Sequence, residues 1–260
     1  MKDLNYILDN WNENDPDIRK FYGEDGIEKL QVRFQLNQSN IYGISQMNLE
    51  GRPDGKRPYG FDSLFQYYEH DFINYCHTRG TEEDYKIDQN DATLLLEEVQ
   101  DYIQRCSFLV VQKPISSQDR RRIIRDGEFE FQTLDFIEKY AKDYGIIQYA
   151  ISLKPEIVMF TSRMMIVEGM RVKDYEMAFN GLKKGKKRIL KLQNILEGKV
   201  QDYLTKCIND LNKLEKYVKR VKPITRVEQL ENMLEKANIV ENYEAADAIK
   251  KEIRGLNKNE

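Results

Sequence analysis

Residues 169–178 read Gly169-Met170-Arg171-Val172-Lys173-Asp174-Tyr175-Glu176-Met177-Ala178 (GMRVKDYEMA), and this stretch decides the fold. A glycine and a polar turn, followed by an aromatic and then a small residue, let two helices approach closely because neither Gly169 nor Ala178 carries bulk that would hold them apart. Upstream, Pro155 suits the first turn of a helix, where a missing N–H costs nothing, and the spacing predicts a helix from Glu156 to Gly169. Downstream, Lys173-Asp174-Tyr175-Glu176-Met177-Ala178 starts the partner helix. Hairpins of this kind, stacked side by side, build a helical array.

Outward from this hairpin the pattern stays helical. The Gly169 unit resembles a tetratricopeptide-type hairpin, without a clean 34-residue repeat. Asp62 or Ser63 can cap a helix carrying Leu64, Phe65, Tyr68, Phe72 and Tyr75 on one face. Thr81 to Asp91 reads as a polar, acidic loop. Leu94, Leu95, Leu96, Val99, Ile103 and Phe108 mark a long helix that must end near Lys113, since Pro114 disfavours helical geometry before it. Asp119 begins another helix, with Ile123, Ile124, Phe129, Phe131, Leu134, Phe136 and Ile137.

Only the first 60 residues carry a strand signal. Gln31-Val32-Arg33-Phe34-Gln35-Leu36 alternates apolar Val32, Phe34 and Leu36 with polar neighbours, and Ser45-Gln46-Met47-Asn48-Leu49 repeats it more weakly. Asn37-Gln38-Ser39-Asn40 between them is turn chemistry, which implies a β-hairpin; a short helix from Leu4 to Trp11 precedes it. Gly51-Arg52-Pro53-Asp54-Gly55 then reads as a turn joining hairpin to helices, proline fixing φ and Gly55 supplying positive φ. Arg52, Lys56 and Arg57 beside it could bind a phosphate or carboxylate, or the loop could simply be a rigid joint docked on the acidic first half. The expected fold is mainly α: a helical-hairpin, tetratricopeptide-like array with a small N-terminal β-hairpin and a C-terminal antiparallel helical hairpin. Its expected divisions are 1–60, 61–198, 199–222 and 224–257.

The net charge of −3 over 260 residues conceals an asymmetry. Residues 183–226 hold 14 Lys and Arg against 4 Asp and Glu, while residues 1–182 hold 22 against 32. Within the basic segment, Lys183, Lys184, Lys186, Lys187, Arg188 and Lys191 place six cations in nine residues, enough to contact several phosphates of a nucleic acid. The same run could instead lie on the protein's own acidic half. Val200, Leu204, Cys207, Leu211, Leu214, Val218 and Val221 follow at spacings of 4, 3, 4, 3, 4 and 3, a heptad seam that needs another helix against it. The chain's own last segment and a second copy in a homodimer are the two candidates.

Beyond Pro223 the chain resembles a known family. Leu230-Glu231-Asn232-Met233-Leu234-Glu235-Lys236-Ala237, then Glu241-Asn242-Tyr243-Glu244-Ala245-Ala246-Asp247-Ala248-Ile249-Lys250-Lys251-Glu252-Ile253 and Leu256, is similar to the UVR motif. That motif is the short helical hairpin of the excinuclease B and C subunits and of activators of protein arginine kinases. The resemblance covers about the last 30 residues and implies a protein-interaction module of two antiparallel helices, with Leu230, Met233, Leu234, Tyr243, Glu244, Ala246, Ile249, Lys250 and Ile253 as its contact and packing residues. The chain as a whole resembles bacterial proteins that end in this motif. Independently of the family, Asn242 can cap the second helix, Tyr243 can close the turn, and Glu244 sits favourably near the positive helix end. The family carries a paired alanine one position later and an Arg-Asp pair after the next apolar residue, where this chain has Ala246-Asp247 and Lys250-Lys251.

No catalytic pattern accompanies these features. Gly181-Leu182-Lys183-Lys184-Gly185-Lys186-Lys187 has neither the spacing nor the Ser or Thr of a nucleotide-binding loop. His70 and His77 are seven residues apart, over about 10 Å along a helix, too far for one metal. Cys76, Cys106 and Cys207 form no CxxC pair and read as reduced, mostly buried thiols. No apolar run approaches the roughly 18 residues of a membrane span, and no signal pattern opens the chain. The sequence therefore implies a cytoplasmic, non-enzymatic adaptor without metal or cofactor, docking a protein through helical hairpins; the alternative is a nucleic-acid-associated protein of repair or translation acting through residues 183–226.

Overall fold

The computed structural model describes Trp11 and residues 16–35, 42–78, 80–198, 200–224 and 226–256. Three antiparallel strands come first in spatial order: β1 (Ile18–Tyr22), β2 (Glu28–Gln35) and β3 (Tyr42–Asn48). Eight α-helices follow among the described residues, α1 (Leu64–Thr78), α2 (Gln89–Val111), α3 (Ser117–Tyr140), α4 (Tyr144–Val172), α5 (Tyr175–Gln193), α6 (Val200–Val221), α7 (Arg226–Ile239) and α8 (Tyr243–Leu256). The fold is mainly α with a small N-terminal sheet, as the sequence implies. It divides into two compact units, Met1–Lys213 and Leu214–Glu260, with the division inside α6.

The expected hairpin is β2 and β3, and β1 extends it to a three-stranded sheet. Leu36, the Asn37-Gln38-Ser39-Asn40 turn and, Trp11 apart, the helix expected from Leu4 lie outside the described residues. β1 escapes a periodicity reading because IRKFY shows no apolar alternation; pairing to β2, from Ile18 opposite Val32 to Tyr22 opposite Glu28, defines it. Leu30, Val32, Met47 and Leu49 form the buried face and pack with Cys106 and Leu109 of α2 and Ile123 of α3. Phe34, expected on that face, is largely exposed: it stands opposite Gly43, and its ring covers the space a side chain there would need. On the other face Arg19, Gln31 and Gln46 stand in register across the three strands, with Gln31 accepting from Arg19 and donating to Gln46 at 2.9 Å. The single tryptophan, Trp11, is buried against this sheet's polar side, its ring 4.2 Å from the Arg19 guanidinium and 5.1 Å from that of Arg33.

Helices α2, α3, α4 and α5 each start on a short polar side chain that accepts a backbone N–H left unpaired by helix geometry. Asp88 accepts from Asp91, Ser116 from Asp119, Asp143 from Ile146 and Asp174 from Met177. The cap of α3 is thus Ser116, three residues before the expected start at Asp119. The loop expected to run to Asp91 ends at Asp88, and it is not wholly polar in character: Tyr85 and Ile87 are buried in it, and Ile87 bridges to Ala141 after α3. Pro155 does not open a helix but lies inside α4. The reason is that the buried face runs on upstream of it through Ala150 and Ile151, so continuous burial outweighs the single backbone hydrogen bond a proline removes.

Helices α3, α4 and α5 are joined by short connections and pack in sequence as antiparallel neighbours. Small residues set their spacing. A Cβ on Gly169 would lie 2.7 Å from both the Ala178 nitrogen and the Asp174 carbonyl oxygen, so the glycine of the GMRVKDYEMA stretch permits the contact that closes the α4–α5 hairpin. Gly181 and Gly185 continue the seam against Met165 and Ser162 of α4, and Gly127 of α3 meets Thr161. The glycine- and lysine-rich run read as lacking a nucleotide loop is therefore a helix surface shaped for packing.

Substituting Gly169 by Ala should destabilise the first unit by about 1–3 kcal/mol, because backbone atoms cannot move aside as a flexible side chain would. Gly255→Ala in α8, where an added Cβ would meet nothing within 4 Å, should instead gain up to about 1 kcal/mol of helix propensity. Urea denaturation, read on the unit that carries each change, checks both; stabilisation by Gly169→Ala would refute the close-packing account.

Candidate functional site

The GRPDG loop is a fixed joint. Gly55 has φ +72° and its N–H donates to the Arg52 carbonyl at 3.0 Å, closing the turn around buried Pro53. The Pro53 carbonyl accepts from the Asn48 N–H at 2.8 Å, and the Asp54 carboxylate accepts from the Lys56 N–H at 2.9 Å. Arg52 reaches Asp54 at 2.8 Å and the buried Glu98 of α2 at 3.1 Å. Arg57 pairs with Asp62 at 2.9 Å. With Lys56 4.0 Å from Asp54, all three cations that could have met a phosphate thus face carboxylates of the chain itself.

Glu98 has a second task. Its two oxygens accept the N–H groups of Leu64 at 3.0 Å and Phe65 at 3.2 Å, so a side chain of α2 caps the first turn of α1. Ser63 adds its own oxygen as acceptor for the Gln66 N–H, fixing the choice between Asp62 and Ser63.

The basic run is split by its helix. Lys184 and Arg188 both bind Glu128 of α3, at 2.5 Å and 2.8 Å, and Arg188 stacks 3.8 Å over the Phe131 ring. Lys186 is half-buried, while Lys183, Lys187 and Lys191 are exposed along one line of α5. α6 meets α5 within the first unit, where Leu211 lies 3.4 Å from the position of a Cβ on Gly185 and Leu204, Cys207 and Leu211 of the heptad seam are buried; Val218 is buried in the second unit. Val200 and Val221 at its ends are exposed.

Helices α7 and α8 form the terminal hairpin, antiparallel because Arg226 at the start of one pairs at 2.8 Å with Glu252 near the end of the other. Leu230 and Ala246 are buried between them, with Ala237; Leu234, Ile249 and Ile253 are half-buried, and Glu244 and Lys250 are exposed. The cap is Asn242, whose side-chain oxygen accepts the Ala245 N–H at 3.1 Å. The Tyr243 side chain does not close the turn, although the residue's backbone N–H donates to the Glu241 carbonyl at 3.1 Å within it. Glu241 at φ 54° does so, with the Asn242 N–H donating to the Ala237 carbonyl at 2.9 Å, and the Tyr243 ring is 71% exposed. Ile239 and Val240 beside it are equally exposed, and Met233 is 51% exposed.

A buried polar cluster between α2 and α3 went unread in the sequence. Arg105 is fully buried; its Nε donates to Asp126 at 2.8 Å and its Nη1 donates to the carbonyls of Asn48 and Gly51 at 2.7 Å and 2.8 Å. Its Nη2 lies 2.8 Å from the same Asp126 oxygen, close enough for the ion pair but turned off the line of a hydrogen bond. Arg125 donates to the other Asp126 oxygen at 2.9 Å. One helical turn on, buried Glu130 is met by the Cys106 thiol at 3.7 Å. Burial, reinforced by the charge of Asp126, pushes the Glu130 carboxyl up to about 8, and burial pushes the Cys106 thiol up as well. The signal that could have found these residues is their register: Leu95, Glu98, Tyr102, Arg105 and Leu109 form one stripe, and Ile123, Asp126, Gly127, Glu130, Leu134 and Ile137 another, so each charge sits at an apolar position.

Because the native state keeps a proton on Glu130 that the unfolded chain releases near its ordinary value of 4.5, this carboxyl lowers stability progressively as pH rises from about 4.5 to about 8, and no further above that. Glu130→Gln removes the loss. Its stability relative to the parent should rise by on the order of 1–3 kcal/mol between pH 5 and pH 8 in matched denaturant titrations, and a pH-independent difference would contradict the burial account.

Among the described residues no helix is long and apolar enough to cross a membrane, and no group of three or more His, Cys, Asp or Glu is placed to hold a metal ion. Comparison with models of protein families, with curated proteins and with solved structures finds no match to this chain.

Proposed function

We propose that this protein is a non-enzymatic adaptor that captures a protein partner on the closed end of its UVR-like terminal hairpin. The observation that carries this reading is the exposure of Ile239, Val240 and Tyr243, each above 70%, around one turn. Large apolar side chains gathered at a hairpin tip are what an interface anchor requires, and a tyrosine gives contact area at low cost in side-chain freedom. Glu235, Glu241, Glu244 and Asp247 surround that turn in sequence and are all exposed, so the partner segment is apolar with basic flanks.

Nucleic-acid association is the second reading, favoured by the line of exposed Lys183, Lys187 and Lys191. It is the weaker of the two because Lys184 and Arg188, from the same run, are held by Glu128.

Affinity capture with the full chain and with Val240→Asp and Tyr243→Asp separates the two readings. The substituted residues are exposed, so folding is expected to survive, and partner recovery should drop by at least tenfold, the loss of about 1.4 kcal/mol or more typical of an interface anchor. Unchanged protein partners would sink the adaptor reading. Loss of all partners on nuclease treatment, with a steep fall in binding between low and moderate salt, would establish the second.

A further inference from the structure

A cavity of about 100 Å³ opens between α2, α3 and α4, with Ile103, Ile157 and Phe160 as apolar walls. Cys106 and Glu130 line it from within, and Glu156, exposed on α4, stands at its rim. We propose that this cavity binds a small primary ammonium group on an aliphatic stem, with Glu130 as its counter-ion.

The argument rests on charge balance and shape. Glu130 is 97% buried by its 3% exposure, yet its side chain meets only the weak thiol donor of Cys106. The nearby buried cation, Arg105, is committed to Asp126 and to two backbone carbonyls. No Lys or Arg lines the cavity, so neither of its carboxyls has a cation of its own there. A buried carboxyl without a counter-charge is costly, and a cation brought from outside relieves that cost while its methylenes take up the apolar walls. An ammonium head offers three donors to the two Glu130 oxygens, and the Phe160 ring suits either the head or the stem. The space admits roughly three to five heavy atoms, which fits an alkylamine end and excludes a larger ring system.

Binding is written as Glu130–COOH plus R–NH3+ giving the Glu130 carboxylate–ammonium pair, with the proton released to solvent. The groups facing Glu130 are Asp126 on its own helix, Arg105 and Cys106 on α2, and Glu156 on α4. Because Arg105 is already matched by Asp126, the proton that leaves on binding is that of Glu130.

Calorimetric titration of the full chain with n-butylammonium chloride at pH 7, against matched sodium chloride and in two buffers of different ionisation enthalpy, tests this. The expected result is saturable binding with nearly one proton released per ligand, at least tenfold weaker binding of n-butanol, and at least tenfold loss in Glu130→Gln. Nα-acetyl-lysine methylamide distinguishes the source: equal or tighter binding assigns the site to a polypeptide lysine, and failure of that probe alone assigns it to a free amine. Absence of saturable binding, equal affinity for n-butanol, or binding without proton release overturns the proposal; the last needs no variant to fold. None of these outcomes bears on the hairpin tip, so this site and the adaptor reading stand or fall separately.

Discussion

The Arg105 guanidinium is the point on which the first unit converges. From the middle of α2 it reaches Asp126 on α3, the last residue of β3 through the Asn48 carbonyl, and the GRPDG joint through the Gly51 carbonyl. A charge buried this completely is tolerated because a counter-charge faces it and its Nε and Nη1 donors are satisfied, and losing one partner of such a pair typically costs about 3–5 kcal/mol. The sheet, the joint and the helical array are therefore positioned by one side chain rather than by apolar contact alone. The same logic recurs nearby. Arg122 of α3 bridges Glu28 and Glu50 at 2.6 Å and 2.8 Å, and Lys20 of β1 reaches Asp119, so the sheet is fastened to α3 by ion pairs as well as by its buried face.

Charge inside the array is arranged by helix. Lys154 of α4, 1% exposed, meets Asp135 and Glu138 of α3, while Arg120 of α3 and Arg171 of α4 converge on Glu168. Those bonds hold the Glu168 carboxyl down at about 2, led by the one from Arg171. Glu130 differs from all of these in having no cation opposite it. Two carboxyls on neighbouring helices thus end with opposite protonation tendencies, one fixed as an anion by its partners and one kept neutral by burial.

The apolar stripes were legible, and they placed the long helices, the β2–β3 pairing and the terminal hairpin with its Asn242 cap. Gly169 and Ala178 were legible for the same reason, since small residues flanking a polar turn have few other uses. Pro155 was misread because proline at a helix start and proline inside a buried helix look alike over a short window; only the apolar residues upstream distinguish them. The polar cluster was hidden for a different reason. Glu98, Arg105, Asp126 and Glu130 stand in register with apolar core positions, but pairing partners 20 or more residues apart cannot be matched from spacing. Tyr243 shows the converse, an aromatic side chain assigned to closing a turn that backbone hydrogen bonds close, its own N–H among the donors.

Trp11 gives the molecule a private optical window. It is the only tryptophan among 16 tyrosines and 11 phenylalanines, and its indole N–H donates to the Pro16 carbonyl at 2.9 Å while two guanidinium groups lie against its ring. Indole emission therefore originates at the sheet, whereas the tyrosines, which emit at shorter wavelength, stand in both units, Tyr22 in β1 and Tyr243 in α8 among them. Excitation at the red edge of the absorption band, which tyrosine does not absorb, therefore follows the sheet alone in one unlabelled sample.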